Sequence, residues 1–382
     1  MTRGIIREVF REHYPGYSRT RRLSVREQHA AQQILTCRTE EQGYHVVRCP
    51  GGDFETARFN SCKHRSCPTC GSQATTRWIR TQEARALPCP YHLITFTIPD
   101  GLQPLWLYNR VLFANLLFKA AWDSLQAFAR DPHWLGALPG VIGTLQSWGE
   151  MLNLHVHLHL LITAGGLDAQ GRWVKSKASF LFPARAVSVA FRRRFLDKLR
   201  RALAAGNLRI PPDTTAAFWR MRFNKFGRQK WQLRIEPAQQ LGGGLRYVGA
   251  YVHRGPIGES RIKRYDRDEL TIAYAHPRKH PHPTFTLSGP EFVQRFLVHV
   301  PPKGHRVVRS FGLFHHRLRD RLEVARRELE AAAPAVPRRE ARLPAATDPT
   351  PPFLRCPRCG RPLAIVAVVY RRSRDPPERQ AA

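Results

Sequence analysis

The chain's clearest hydrophobic-polar pattern is Leu154-His155-Val156-His157-Leu158-His159-Leu160-Leu161-Ile162, closing on Thr163-Ala164-Gly165-Gly166. Strict alternation is the period of a β-strand, so all three histidines should leave one face. Residues 91–98 read as a second buried strand, and 102–128 as one or two amphipathic helices with Trp106, Leu112, Phe113, Leu116, Leu117 and Phe128 as core. Val187, Phe191, Phe195, Leu199 and Leu203 recur at helical spacing, while Arg192, Arg193, Arg194, Lys198, Arg200 and Arg201 fill the other side. From 218 to 235 aromatics alternate with Arg and Lys, as in Trp219, Arg220, Phe223, Lys225 and Trp231. That pattern suits base-stacking platforms beside phosphate contacts, or equally hairpin strands packed on a core. Residues 331–352, rich in Pro, Ala and Arg, read as an extended linker.

Charge narrows the function class. Sixty-two Lys and Arg against 29 Asp and Glu give +33, a field that attracts polyanions. DNA is the natural partner. The cations of 192–201 have no obvious acid to match them, which favours a strand-binding face over a merely solvated one. No run of about 18 apolar residues favours a membrane, and the first residues lack a signal peptide's apolar core, so a cytoplasmic, nucleoid-associated location is expected. No Gly-Lys-Ser/Thr occurs, so no ATPase or helicase is expected in this chain.

Three constellations carry chemistry. Imidazoles two residues apart on a strand can share one ion, making His155, His157 and His159 candidate metal ligands. Tyr247 and Tyr251, spaced i, i+4, would share one helical face. A packed pair of core tyrosines is the plain reading of that spacing taken alone. Arg246 and Arg254 flank them as candidate phosphate contacts. Third, Cys62, Cys67 and Cys70 have spacings that suit tetrahedral zinc, with Cys37, His45 and Cys49 upstream as further candidates. Cys37 is either a ligand or a buried thiol. Lys63, His64, Arg65, Arg77 and Trp78 suit a phosphate-gripping, base-stacking surface, or a solvated charged face. Near the end, Cys356-Pro357-Arg358-Cys359-Gly360 is a knuckle with half a zinc site, needing partners from the N-terminal module or a second chain.

Taken in order, these features resemble the IS91 family of transposases, which belong to the HUH superfamily and carry two tyrosines. The resemblance covers most of the chain: the 91–99 strand, Gly143-Thr144-Leu145-Gln146-Ser147-Trp148-Gly149 leading into the histidine strand, Phe180-Leu181-Phe182-Pro183, the Tyr247 to Arg254 segment, Glu291 to Leu297, and Pro302-Lys303-Gly304. Counting back from Gly165-Gly166, as the family's order implies, assigns its histidine pair to His157 and His159 as ligands of a divalent metal, and leaves Glu150, His155 and His253 open as the third ligand. Where the family pattern implies a cysteine three residues after Cys49, this chain has Gly52, so one zinc is expected rather than two.

The resemblance implies an α+β fold: an HUH-nuclease-like antiparallel sheet with flanking helices, preceded by a small zinc-binding module and followed by a Pro-rich tail. The expected division is 1–88 for the zinc- and DNA-binding module, 89–325 for the single-strand endonuclease domain and 326–382 for the linker and Cys-x2-Cys tail. It further implies Mg2+ or Mn2+ at the histidines, Zn2+ at the N-terminal module, and single-stranded element ends and target DNA as substrates. Host replication or helicase functions are the expected partners. A phenol attacks the phosphodiester to leave a 5′-phosphotyrosine and a free 3′-hydroxyl in rolling-circle transposition. A plasmid replication initiator or relaxase-type nuclease would share the histidines and tyrosine. A non-catalytic zinc-ribbon DNA-binding protein would explain the charge and cysteines, and leave the histidine strand unexplained.

Overall fold

The computed structural model describes residues 4–177, 180–249, 252, 255–275, 281–332 and 354–370. In chain order the elements are α1 (Ile5–Thr20), α2 (Val25–Thr36), β1 (Tyr44–Arg48), β2 (Glu55–Phe59), α3 (Gly71–Arg85), β3 (Tyr91–Thr97), α4 (Gln103–Tyr108), α5 (Arg110–Arg130), β4 (Gly140–Trp148), β5 (Leu154–Thr163), β6 (Gly165–Leu167) and β7 (Trp173–Lys175). There follow α6 (Ala184–Ala204), α7 (Ala216–Arg228), β8 (Leu233–Ile235), α8 (Leu241–Gly249), β9 (Ile262–Asp266), β10 (Glu269–Ala273), β11 (Thr284–Ser288), α9 (Gly289–Leu297), β12 (Val308–Gly312), α10 (Arg319–Ala331) and β13 (Ala364–Val369).

A five-stranded sheet in the order β12-β4-β5-β3-β8 organises the molecule, with every neighbouring pair antiparallel. The histidine strand β5 is therefore central. Its register pairs Leu158 with Phe96 and Leu145, and His159 with Thr95 and Thr144. Because cross-strand partners share a face, Val141, Leu145, Ile94, Phe96, Val156, Leu158, Leu160 and Ile162 form one continuous apolar surface. Helices α5, α6 and α7 cover it, with Phe96 set against Phe191 at 4.7 Å between ring centroids and Phe113 against Phe195 at 5.1 Å. Gly143 is required there, because a Cβ on it would lie 2.6 Å from Leu160 Cδ2 and 3.0 Å from Phe118.

The opposite face carries Thr95, Thr97, Thr144, Gln146, His157 and His159, and at its far end Ile142 and Leu161. Helix α8 lies over that far end, where Leu245 and Val248 join Ile142, Leu161, Tyr91 and Leu87 in a second core that α10 completes through Leu322, Ala325 and Leu329. Gly244 permits the close approach: a Cβ there would meet Leu161 Cδ2 at 2.7 Å.

A third core crosses the boundary expected at residue 88. Ile6, Val9 and Phe10 of α1 and Ala30, Ala31 and Ile34 of α2 pack on Phe292, Val293 and Phe296 of α9, and on Leu270, Ile272 and Leu287 of the antiparallel sheet β11-β10-β9. Phe10 and Phe296 meet edge to face at 5.2 Å. The N-terminal helices are thus built into the same body as residues 257–300. Leu152, in the turn between β4 and β5, is completely buried in this core at φ 58, and the turn is held by His299 Nε2 on the Leu152 carbonyl at 3.2 Å and by Arg295 on that of Met151 at 2.8 Å. A left-handed conformation is unfavourable for a bulky residue, so burial of the side chain must outweigh it.

Residues 218–235 form helix α7 and the short strand β8 instead of a stacking surface: Trp219, Phe223, Phe226 and Trp231 are core, and Arg222 lies 4.9 Å over the Phe226 ring. The linker expected at 331–352 falls almost wholly outside the described residues. The tail beyond it is folded: β13 pairs antiparallel with β1, making a three-stranded sheet β13-β1-β2 across most of the chain's length. None of the described helices is long and apolar enough to cross a membrane.

Candidate active site and metal centres

The histidine row is graded in burial. His155 is half-exposed beside Asp100, with Nδ1 3.8 Å from Oδ1, whereas His157 and His159 are 7% and 3% exposed. Neighbouring rings lie 4.9 and 4.6 Å apart along the strand. His157 donates from Nδ1 to the His155 carbonyl at 2.9 Å, which makes Nε2 its unprotonated, ligand-type nitrogen. His159 has Gln146 Oε1 3.0 Å from Nε2 and Thr95 Oγ1 3.2 Å from Nδ1. Burial pushes His157 down to about 4 and His159 to about 3, so both rings are neutral at physiological pH, the form that binds metal.

Gln146 is the residue that sequence reasoning passed over. It sits on β4 directly opposite His157, is 5% exposed, and is oriented by donating Nε2–H to the Trp148 carbonyl at 2.8 Å, which turns Oε1 toward the histidines. Gln146 Oε1 can only accept, so His159 Nε2 donates to it at 3.0 Å, and a divalent ion held by this pair would displace that proton. Two imidazole nitrogens and a neutral oxygen could hold a divalent ion; imidazole accepts several such metals, whereas Mg2+ prefers oxygen. Glu150 is engaged elsewhere, paired with Arg261 at 3.5 Å and accepting from Ala275 N at 3.3 Å. His155 and His159 are four residues apart on one strand, roughly 13 Å of chain, which sets His155 at the outer end of the row. His253 lies outside the described residues.

The tyrosine helix reaches this face. Tyr247 is on α8, whose Leu245 and Val248 pack on Leu161, two residues along the strand from His159 and on the same side of the sheet. Tyr251 and Arg254 lie outside the described residues. Arg246 is exposed, its Nε donating to the Gly242 carbonyl at 3.1 Å.

The expected cationic surfaces prove partly committed. On α6, Lys198 is ion-paired with Asp123 at 2.9 Å and Arg200 with Asp197 at 3.0 Å, so two of the six cations expected to be unmatched do have acids. Arg193 and Arg201 are exposed, Arg192 reaches the Gln229 carbonyl and Arg194 the Ala190 carbonyl. This helix covers the face of the sheet opposite the histidines. In the cysteine loop Arg65 is turned inward onto the His305 carbonyl at 3.1 Å, His64 stands edge to face with His29 at 5.3 Å, and Trp78 packs against the α8 core; Lys63 and Arg77 remain exposed. At the open end of the histidine row a groove is lined by Thr97, Asp100, His155, Lys230 and Trp231.

The six expected zinc ligands separate into two groups and one outsider. Cys37, Cys62, Cys67 and Cys70 bring their sulfurs within 4.8 Å of one another. Cys37 ends α2, Cys70 begins α3, and the other two lie in the loop between β2 and α3. Cys37 and Cys70 are 3.4 Å apart and Cys62 and Cys70 3.6 Å, close to the roughly 3.8 Å edge of a tetrahedral site with Zn–S bonds of about 2.3 Å. Hydrogen bonds from Cys37, Cys62 and Cys67 push the Cys70 thiol down, while the shared protons push Cys62 up. Four thiols competing for protons in one pocket are what a dication resolves. Cys49 belongs instead with Cys356 and Cys359, and His45 joins neither set, its Nδ1 buried without a hydrogen-bond partner.

Two family models and two relatives match the chain. Residues 9–98 match a family model described as "Transposase zinc-binding domain", that of IS91 elements, and residues 140–321 match one described as "Putative transposase". The putative transposase y4qJ of Sinorhizobium fredii is 31% identical over 328 residues, covering 82% of this chain and 81% of the relative. The transposase for insertion sequence element IS801 of Pseudomonas savastanoi pv. phaseolicola is 33% identical over 297 residues, 75% of this chain and 70% of the relative. No solved structure matches the chain. With both halves matched in order and more than four-fifths of its length aligned to a relative, the chain belongs to the IS91 family of transposases.

Proposed function

We propose that the chain nicks and rejoins single-stranded DNA by tyrosine transesterification during rolling-circle transposition of an insertion element. The observation that carries this reading is the placement of α8, the helix of Tyr247, on the sheet face that presents His157 and His159. A phenolic oxygen attacks a backbone phosphorus, the P–O3′ bond breaks, and the phenol's proton passes by way of solvent to the departing 3′ oxygen. The products are a 5′-phosphotyrosine and a 3′-hydroxyl. The ester energy is kept, so a 3′-hydroxyl can reverse the step on a new strand without ATP.

A phenol with an ordinary pKa of about 10 needs help near neutral pH. His157 Nε2, His159 and Gln146 Oε1 would hold a divalent ion, which supplies Lewis-acid stabilisation of the phosphate's developing charge. Thr95 and Gln146 hold the His159 ring and the His155 carbonyl holds the His157 ring, so both imidazoles are oriented before DNA arrives. Lys230 and the exposed Arg246 stand near the ends of the histidine face as phosphate contacts, and Tyr247 and Tyr251 act in turn on the two strand ends.

The deciding experiment is incubation of the full chain with single-stranded DNA carrying an element end and Mn2+, followed by a denaturing gel. A covalent protein–DNA band is expected, reduced or rerouted in Tyr247→Phe and Tyr251→Phe and absent in the double variant. Phenylalanine keeps the ring, so the loss reports the hydroxyl. A band that persists in the double variant removes these tyrosines from the mechanism. A replication-initiator reading would predict the same band on a plasmid origin; the relatives named for transposases and an insertion sequence favour element ends.

A further inference from the structure

Cys49, Cys356 and Cys359 bring their sulfurs within 4.8 Å of one another, although 310 positions separate Cys49 from Cys359. We propose that they form a second zinc site, a three-thiolate clasp that fastens the end of the chain to the N-terminal hairpin and leaves its fourth coordination position to an external ligand.

Four observations support it. Cys49 and Cys356 are 1% and 3% exposed, and Cys49 and Cys359 are 3.4 Å apart, near the tetrahedral S···S edge of roughly 3.8 Å. The thiols already receive the N–H···S contacts that accompany bound thiolates: Gly51 N to Cys49 Sγ at 3.4 Å, and Arg361 Nε to Cys359 Sγ at 3.4 Å. The Cys356–Gly360 turn is closed as a knuckle, Gly360 N on the Cys356 carbonyl at 2.9 Å with Gly360 at φ 71. Finally, strand β13 exposes every one of its residues, including Ile365 at 60% and Val366 at 46%. Apolar burial therefore holds the strand weakly, and ladder pairing to β1 with a metal at its root is what can fix it.

The open position follows from the turn sequences. Cys49-Pro50-Gly51-Gly52 parallels Cys356-Pro357-Arg358-Cys359 and has glycine where the other has its second cysteine. Gly52 adopts φ +81, its N–H closing onto the Cys49 carbonyl at 2.9 Å, and a Cβ there would meet nothing within 4 Å. Among the described residues no fourth His, Cys, Asp or Glu joins the group. Three thiolates with no fourth protein ligand among the described residues match a zinc site that keeps one exchangeable ligand, a water or a small thiol, and thiol protons are released to solvent as the metal binds.

The test is zinc content and release in the full chain. Purified with zinc, the wild type should carry two ions per chain, and 4-(2-pyridylazo)resorcinol should withdraw them in two phases. The faster phase is expected to be the open site. Cys356→Ser/Cys359→Ser should keep one ion and lose the fast phase, and Cys49→Ser, at the other end of the chain, should do the same. Cys67→Ser should lose the slow phase alone. Amide exchange on Ala364–Val369 should accelerate in both fast-phase variants. The double tail variant is the safeguard against misfolding, because the tail contributes nothing to the three cores. Two ions in that variant, or one ion in the wild type that vanishes only with Cys67→Ser, would overturn the proposal.

Discussion

Gln146 offers the sharpest test of the histidine face. Replacing it with Leu keeps volume but deletes the acceptor 3.0 Å from His159 Nε2 and the donor to the Trp148 carbonyl. Each buried group deprived of a partner costs about 1–3 kcal/mol, so the metal-free variant should be less stable by a few kcal/mol. Removing a ligand or its orienting partner typically weakens metal binding by about 10–100-fold, or about 1.4–2.8 kcal/mol. Titration calorimetry with Mn2+ should show that loss for Gln146→Leu. Gln146→Glu keeps the acceptor for His159 but cannot donate to the Trp148 carbonyl, so it too should be less stable than the wild type without metal. It places a carboxylate oxygen at the same point, however, and should bind Mn2+ at least as well as the wild type. The two substitutions thus separate a ligand from a packing residue. If Gln146→Leu binds Mn2+ with unchanged affinity while His159→Ala does not bind it, Gln146 is not a ligand.

Other outcomes follow from the same geometry. His157→Ala and His159→Ala should each abolish the covalent adduct while nonspecific DNA affinity, measured by anisotropy at two salt concentrations, changes little, since the exposed cations of α6 lie across the sheet. Cys67→Ser should release zinc from the four-cysteine site and lower the melting temperature by many degrees, because Cys37 and Cys67 belong to the core shared by α1, α2 and α9; equal melting curves would refute that coupling. Burial holds His299, 5% exposed, at about 4, below its ordinary 6.5. The unfolded chain takes up that proton first, so the stability is present above about pH 6.5 and lost as pH falls toward 4, on the order of 3 kcal/mol for this group. Chemical denaturation across that range should show the slope, and His299→Gln should flatten it.

The sequence by itself determined the elements whose periods are strict. Alternation from Leu154 to Ile162 prescribed a strand with histidines on one face, helical spacing from Val187 to Leu203 prescribed α6, and the short Cys62-Cys67-Cys70 spacings prescribed a metal loop. These features are local, and local sterics enforce them whatever the chain does elsewhere. It also carried the family, through the order of its motifs. What tertiary structure decided is which distant groups meet. Gln146 drew no notice because a glutamine in a strand has no pattern; only antiparallel register with β5 sets it against His157 and beside His159. The aromatics of 218–231 looked like a stacking surface because alternation with cations cannot distinguish a solvent face from the buried side of α7. Lys198 looked unmatched because its acid, Asp123, is on a different helix. Cys49, read with its near neighbours, is claimed instead by a knuckle that begins more than 300 residues later. Chain closure over such a distance leaves no periodic trace, since its cost grows only slowly with loop length and its contacts depend on the fold already formed between the two ends.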